Sequence, residues 1–133
     1  MTQAVIELKT AIYAQLTGDS TLMAQVQGIF DYVPEDTDFP YVRLGDASEE
    51  DISVLGKTRT RVQLPITVFS RVRGSKECFT IIDRIVTLLH GVSLTLGTGY
   101  SLNNLRFVDS TVRQQSDGFS HIGVVRFVAV VEE

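Results

Sequence analysis

Residues Arg59 to Gly91 read RTRVQLPITVFSRVRGSKECFTIIDRIVTLLHG, and this stretch decides the fold. Val62, Leu64, Ile66 and Val68 alternate with Arg61, Gln63, Pro65, Thr67 and Phe69. A period of two predicts a half-buried strand from Arg61 to Ser70. The period then changes. Cys78, Phe79, Ile82, Ile85, Val86 and Leu89 recur at spacings of three and four, which predicts an amphipathic helix from near Ser75 to Gly91. The Ser75 oxygen is placed to accept an unpaired N–H of the first turn. Gly91 can take the left-handed conformation that closes a helix. Pro65 has no N–H to give to a ladder, so it predicts a bulge or an edge.

The flanking segments need this strand and helix as a surface to pack on. On the N-terminal side, Val5, Leu8, Ile12 and Leu16, with Ala11 beside them, predict a helix over Gln3 to Leu16, ended by Gly18. Asp19-Ser20 can cap a short second helix with Leu22, Met23 and Val26, closed by Gly28. Ile29 to Val33 suits a short strand and Pro34 to Asp38 a loop. Phe39 to Gly45 is extended, with Tyr41 and Arg43 facing one way and Val42 and Leu44 the other. Residues Asp46 to Thr58 are polar and acidic, apart from an apolar island at Ile52, Val54 and Leu55. They read as a long, partly mobile connection.

After the helix, Val92 to Leu96 alternates like a strand and meets Gly97-Thr98-Gly99, a hairpin turn. A longer strand runs from about Tyr100 to Arg113. Asp117-Gly118 turns the chain, and a last strand covers about Ser120 to Val131. That strand is apolar on both faces, as a central strand would be. Arg126 interrupts one face and needs a partner or a route to solvent. The expected fold is α+β: a mostly antiparallel β-sheet with an N-terminal helix and a central helix packed on it.

A chain of 133 residues suits one domain, 1–133, with one proper core. No apolar run approaches the ~20 residues of a membrane helix. The N-terminus has neither the basic start nor the apolar stretch of a signal peptide. One cysteine, Cys78, allows no internal disulfide and no cysteine-based metal cluster. Together these features predict a protein that folds in the cytoplasm. The net charge of −4 argues against a protein that coats nucleic acid. Its distribution is uneven. Asp31 to Asp51 holds eight acids and one base, whereas Lys57 to Lys76 holds six bases and no acid. Two solvated loops that neutralise each other within one fold would explain this. So would a surface acidic on one flank and basic on the other, suited to head-to-tail contact between copies.

No residue pattern points to catalysis. Cys78 falls on the apolar stripe of its helix, as a packed core thiol would. His90 suits the end of the same helix, where a cation is favoured. His121 lacks a spacing that would join it to a metal site. Asp46, Glu49, Glu50 and Asp51 lack the alternation and central glycine of a calcium loop. Gly97-Thr98-Gly99 is not followed by the Gly-Lys-Ser/Thr of a phosphate loop. The Asp83/Arg84 pair reads as a solubilising feature of an exposed helix face. Arg71-Val72-Arg73-Gly74-Ser75-Lys76 could meet phosphate at a helix N-terminus, or stand as a solvated turn, or meet acids of a neighbouring copy. Neither a cofactor nor a metal is expected.

The order of segments resembles the tail-completion, or tail-terminator, family of long-tailed bacteriophages, prophages and gene transfer agents. The resemblance runs through Ala11-Ile12-Tyr13-Ala14-Gln15-Leu16, Asp19 and Leu22, then Ile29-Phe30-Asp31-Tyr32-Val33-Pro34 and Phe39-Pro40-Tyr41-Val42-Arg43-Leu44-Gly45. It continues through Phe69-Ser70-Arg71 with Gly74 and Lys76, Leu89-His90, Asp117-Gly118 and His121-Ile122-Gly123-Val124-Val125-Arg126-Phe127. Their order and spacing carry it jointly. Phe69 stands where a larger aromatic is expected, and Pro65 breaks a strand that similar sequences leave unbroken; both bear on sheet geometry.

The resemblance implies a non-enzymatic protein of the virion tail, assembled in the host cytoplasm. It implies a ring of about six copies on the head-proximal end of the tail tube. Such a ring stops tube polymerisation, meets the neck or head-completion protein, and lets DNA through without specific binding. No membrane is involved. The interface candidates are Asp36, Asp38, Glu49 and Glu50 on the acidic side, and Arg59, Arg61, Arg71, Arg73 and Lys76 on the basic side. Tyr41 and Phe69, on strand faces turned from the core, join them. Charged rims set specificity and encounter rate and weaken with salt; a stable ring also needs an apolar patch, with about 1,000 Å² buried per contact. Two alternatives compete with this reading: a neck or head-completion protein, and a small cytoplasmic enzyme using Cys78.

Overall fold

The structure is a computed structural model that describes residues 2–97 and 99–133. Helix α1 spans Thr2–Thr17, α2 Ser20–Gln25 and α3 Lys76–Leu89. The strands are β1 Ile29–Phe30, β2 Tyr41–Leu44, β3 Ser48–Asp51, β4 Arg59–Ser70, β5 Ser101–Gln114 and β6 His121–Glu132. Among the described residues these six strands form one sheet in the order β1-β2-β4-β6-β5, with β3 also beside β4. Only β1 and β2 pair in parallel. The expected α+β fold is the one observed.

Strand β4 is the spine. It pairs over its whole length with β6, Arg59 opposite Glu132 and Ser70 opposite His121. Val62, Leu64, Ile66 and Val68 are buried, as their alternation requires. They face Ile81, Ile82, Ile85 and Leu89 of α3 and Leu8, Ile12 and Leu16 of α1 in one core. Val125, Phe127 and Ala129 of β6 complete it. Burying such aliphatic and aromatic side chains contributes ~1.5–3 kcal/mol each, which offsets the entropy of ordering the chain. Among the described residues no helix is long and apolar enough to cross a membrane.

Pro65 sits opposite a bulge. Leu44 pairs with Ile66 and Ser48 with Gln63, so Gly45, Asp46 and Ala47 oppose only Leu64 and Pro65. The chain needs an extra residue where the ladder lacks a donor. Gly45 N–H donates to the Pro65 carbonyl at 2.7 Å. A Cβ on Gly45 would lie 2.6 Å from that oxygen, so only glycine fits here.

Several elements differ from the sequence-based expectation. Asp46 to Thr58 is not a long irregular connection. Ser48–Asp51 forms β3 against Thr60 to Gln63, and Val54 and Lys57 close a tight turn beyond it. Glu50 opposite Arg61 supplies an opposite-charge cross-strand pair that acidic composition alone does not reveal. Val92 to Leu96 is not a strand. Its alternating Val92, Leu94 and Leu96 pack on the core, while Ser93 and Thr95 are exposed. Burial of one face on the core thus satisfies the alternation without a ladder. Of the predicted turn Gly97-Thr98-Gly99, Thr98 lies outside the described residues. Helix α2 stops at Gln25, before Gly28, and the first strand stops at Phe30. Phe79 is about half exposed, while Ile81 takes the buried place on α3. Ser75 occupies the N-cap position but makes no side-chain capping bond, because its own backbone is already helical. Gly91 has a φ of 70°, as a helix-closing glycine would.

Arg84 does more than solubilise α3. It holds Asp19 through two hydrogen bonds, Nε to Oδ2 at 2.8 Å and Nη2 to Oδ1 at 2.7 Å. Asp19 also caps α2 by accepting from Leu22 N–H. These bonds, with Arg84 first, lower the Asp19 pKa from 3.8 to about 2. The folded chain therefore resists protonation at a pH where the unfolded chain accepts a proton. The stabilisation is complete above 3.8 and is lost as pH falls through about 2. Urea titrations across that range should show Asp19→Asn with a shallower acid loss than the parent chain. Identical acid limbs would contradict the linkage.

Candidate assembly surface

All three helices pack on the side of the sheet that holds Val62, Leu64, Ile66 and Val68. Among the described residues no helix covers the other side. Strand alternation and register place there Tyr41 and Arg43 of β2, Glu50 of β3, the odd residues Arg59 to Phe69 of β4, and the even residues Ile122 to Glu132 of β6.

One end of this face is aromatic. Tyr41 stacks on Phe69, its cross-strand neighbour, with centroids 4.7 Å apart and planes at 20°. Phe39 lies 5.2 Å from Tyr41, and Phe30 meets Tyr41 edge-on at 6.1 Å. Burial among these rings pushes the Tyr41 hydroxyl pKa up. The Arg71 guanidinium stands over two rings, 5.4 Å from Phe39 and 5.6 Å from Phe119. The β5–β6 turn holds Phe119 in place. There Asp117 accepts from the N–H groups of Phe119 and Ser120, and Gly118 has a φ of 85°.

The middle of the face is a groove of about 570 Å³ lined by Arg61, Arg106 and Arg126 together with Pro65, Val108 and Val128. Arg126 reaches solvent and is gripped by Asp109, its neighbour on β5. Asp109 is correspondingly more acidic than usual. At the far end Arg59 binds Glu132 at 2.9 Å.

The structure sorts the eleven candidate residues into three places. Tyr41, Phe69 and Arg71 come together in the aromatic patch, with Asp36 and Asp38 in the loop that leads to Phe39. Glu49, Glu50, Arg59 and Arg61 lie on neighbouring strands at the other end of the sheet. Arg61 binds Glu50 of the same chain at 2.8 Å, so these two charges neutralise each other within the fold. Arg73 and Lys76 lie beside Val72 at the start of α3, lining a separate hollow with Gln25 and Ile81. Sequence reasoning missed Phe30, Phe39, Phe119 and Arg106. Phe39 before Pro40 and Phe119 after Asp117-Gly118 could have been noticed as large aromatics held at turns, where they are hard to bury.

Cys78 is fully buried. Its thiol sits 4.0 Å from the Val68 carbonyl and 3.8 Å from that of His121. Burial, then the Glu77 charge, raises its pKa to about 11. An activated thiol is shifted the other way. His90 accepts the Phe107 N–H at Nδ1, 3.0 Å away, and so ties the end of α3 to β5. Among the described residues there is no cluster of three or more potential metal ligands.

An uncovered sheet face bearing stacked rings and guanidinium groups has the composition that protein–protein interfaces favour. The chain matches the family described as "Tail completion protein gp17" over residues 10–132, and it belongs to that family. It is a structural component of a virion tail and not an enzyme. Among solved structures it is similar to a chain of the "Virion of native gene transfer agent (GTA) particle". The two are 26% identical, the match covers 98% of each chain, and the TM-score is 0.90. It also shares its fold with the bacteriophage SPP1 gp17 protein, at 21% identity over 96% of this chain and 90% of that one, with a TM-score of 0.67. No curated protein sequence matches the chain.

Proposed function

We propose that the protein acts, as one domain over residues 1–133, as a tail terminator. About six copies close into a ring on the head-proximal end of the tail tube. The ring stops tube polymerisation and presents its other side to the neck or head-completion protein. DNA passes through the opening, and the net charge of −4 keeps that opening from retaining it. The observation that carries this reading is the Arg71-centred aromatic patch on the uncovered sheet face. Tyr, Phe and Arg gathered in one surface cluster are the usual anchors of a protein interface. The acids Asp36 and Asp38 beside it suit the free bases Arg73 and Lys76 of a neighbouring copy.

The test is tube growth. Added to polymerising tail-tube protein of the same particle, the purified chain should bind one tube end and fix tube length. Tubes that lengthen at an unchanged rate, without a cap visible by negative stain, would overturn the proposal.

A further inference from the structure

Tyr41, Phe69, Ile122 and Arg113 stand side by side across the uncovered face, one on each of β2, β4, β6 and β5. Three strand spacings make this row about 14 Å long. Its two ends carry charges of opposite sign, and the fold neutralises neither.

The acidic end is the loop that leads into Tyr41. Residues 32–42 contain Glu35, Asp36 and Asp38 and no base. All three acids are exposed, and none is in an ion pair among the described residues. The basic end is β5, the opposite edge of the sheet. Its bases, Arg106 and Arg113, are exposed and likewise in no ion pair among the described residues. Its one acid, Asp109, is held by Arg126. His90 and Gly91 cover the outer edge of β5 at Phe107 and Leu105. Past them, no strand among the described residues lies outside residues 109–114, so that stretch of edge is open to a neighbour.

We infer that the acidic loop of residues 35–38 in one copy meets the Arg113 end of β5 in the next copy of the ring. This rests on the ring proposed above and assigns one of its contacts. The signs of the charges carry it. Three unpaired acids without a base face two unpaired bases without a free acid, the arrangement that sets partner and register at an interface. The two sets lie at opposite edges of one sheet. The contact is therefore heterologous and lays the rows of successive copies end to end, as a closed ring requires. Arg73 and Lys76 are also unpaired, but they stand off the row, at the start of α3 beside Gln25 and Ile81.

The test mixes two single variants, Asp38→Cys and Arg113→Cys, one carrying a mass tag, with a short bismaleimide at a concentration where rings form. Cys78 is buried and stays unreactive. A tagged–untagged dimer, absent when either variant is used alone, is expected. Arg113→Glu should weaken ring association about tenfold or more at low salt, and less at high salt. Adding Glu35→Arg and Asp38→Arg to that chain reverses both signs and should restore most of the association. Asp36 is left in place because its φ of 59° suits few other side chains. Rings that form without this cross-link and tolerate Arg113→Glu would overturn the inference and leave the ring intact. A dimer formed instead between Asp38→Cys and Lys76→Cys would move the loop to the start of α3 and also overturn it. A chain that stays monomeric at every concentration, with and without tail tubes, would overturn both the contact and the ring.

Discussion

Phe127→Ala should destabilise the chain by about 3–5 kcal/mol. Phe127 is 1% exposed at the middle of β6. It is paired with Leu64 on one side and Phe107 on the other. Its ring meets Phe107 edge-on at 6.2 Å and 72°, a geometry that adds to area burial. The strands on both sides are fixed by long ladders, so the site cannot collapse to fill the space. Domains of this size have total stabilities of about 5–15 kcal/mol, so the variant should unfold at much lower urea. A loss below about 1 kcal/mol would mean that the β4–β6 pair is not the centre of the core.

Arg71→Glu should leave the monomer folded and weaken ring association by about thirtyfold or more, the effect of losing an interface anchor worth about 2 kcal/mol. Arg71 is exposed, stands over Phe39 and Phe119, and its charge is one of the causes that lower the Asp117 pKa, after the hydrogen bonds from Ser120 and Phe119. These contacts lie at the surface, so the fold should survive their loss. Glutamate would put a negative charge against two ring faces and near Asp117. Sedimentation equilibrium would read the association, and a thermal melt the fold. Unchanged association with an unchanged melt would remove the aromatic patch from the assembly surface.

The parts of the fold that sequence reasoning reached are those where one period dominates. Val62 to Val68 and Leu8 to Leu16 each repeat cleanly, and each buries the face that its period indicates. Pro65 was informative because a missing donor must be accommodated somewhere; it is accommodated by the Gly45 bulge. Ser48–Asp51 was hidden because serine and acids are poor strand formers in isolation. It is a strand because β4 extends past β2 and presents Arg61 to Glu50. Val92 to Leu96 misled for the opposite reason: alternation reports one buried face, and an irregular segment laid on the core buries one face as well as a strand does. Asp19–Arg84 was invisible because it joins residues 65 positions apart.

The proposed assembly surface was legible in pieces. Tyr41 and Phe69 followed from strand alternation, but their stacking depends on the β2–β4 register. The rings of Phe39 and Phe119 come from two turns far apart in sequence and meet only around Arg71. The charge asymmetry was real as composition. In space, however, Glu50 and Arg61 face each other within one chain. Of the six bases from Lys57 to Lys76, Arg73 and Lys76 form no ion pair among the described residues and are the ones left to meet a neighbour.

The most direct test of the ring is the mass of the purified protein, alone and with tail tubes, by light scattering at low and moderate salt. Negative-stain images of the same samples would accompany it. The account predicts a closed ring of about six copies, free or seated on tube ends, whose dissociation increases with salt. A monomer under every condition, with bare tube ends, would contradict it.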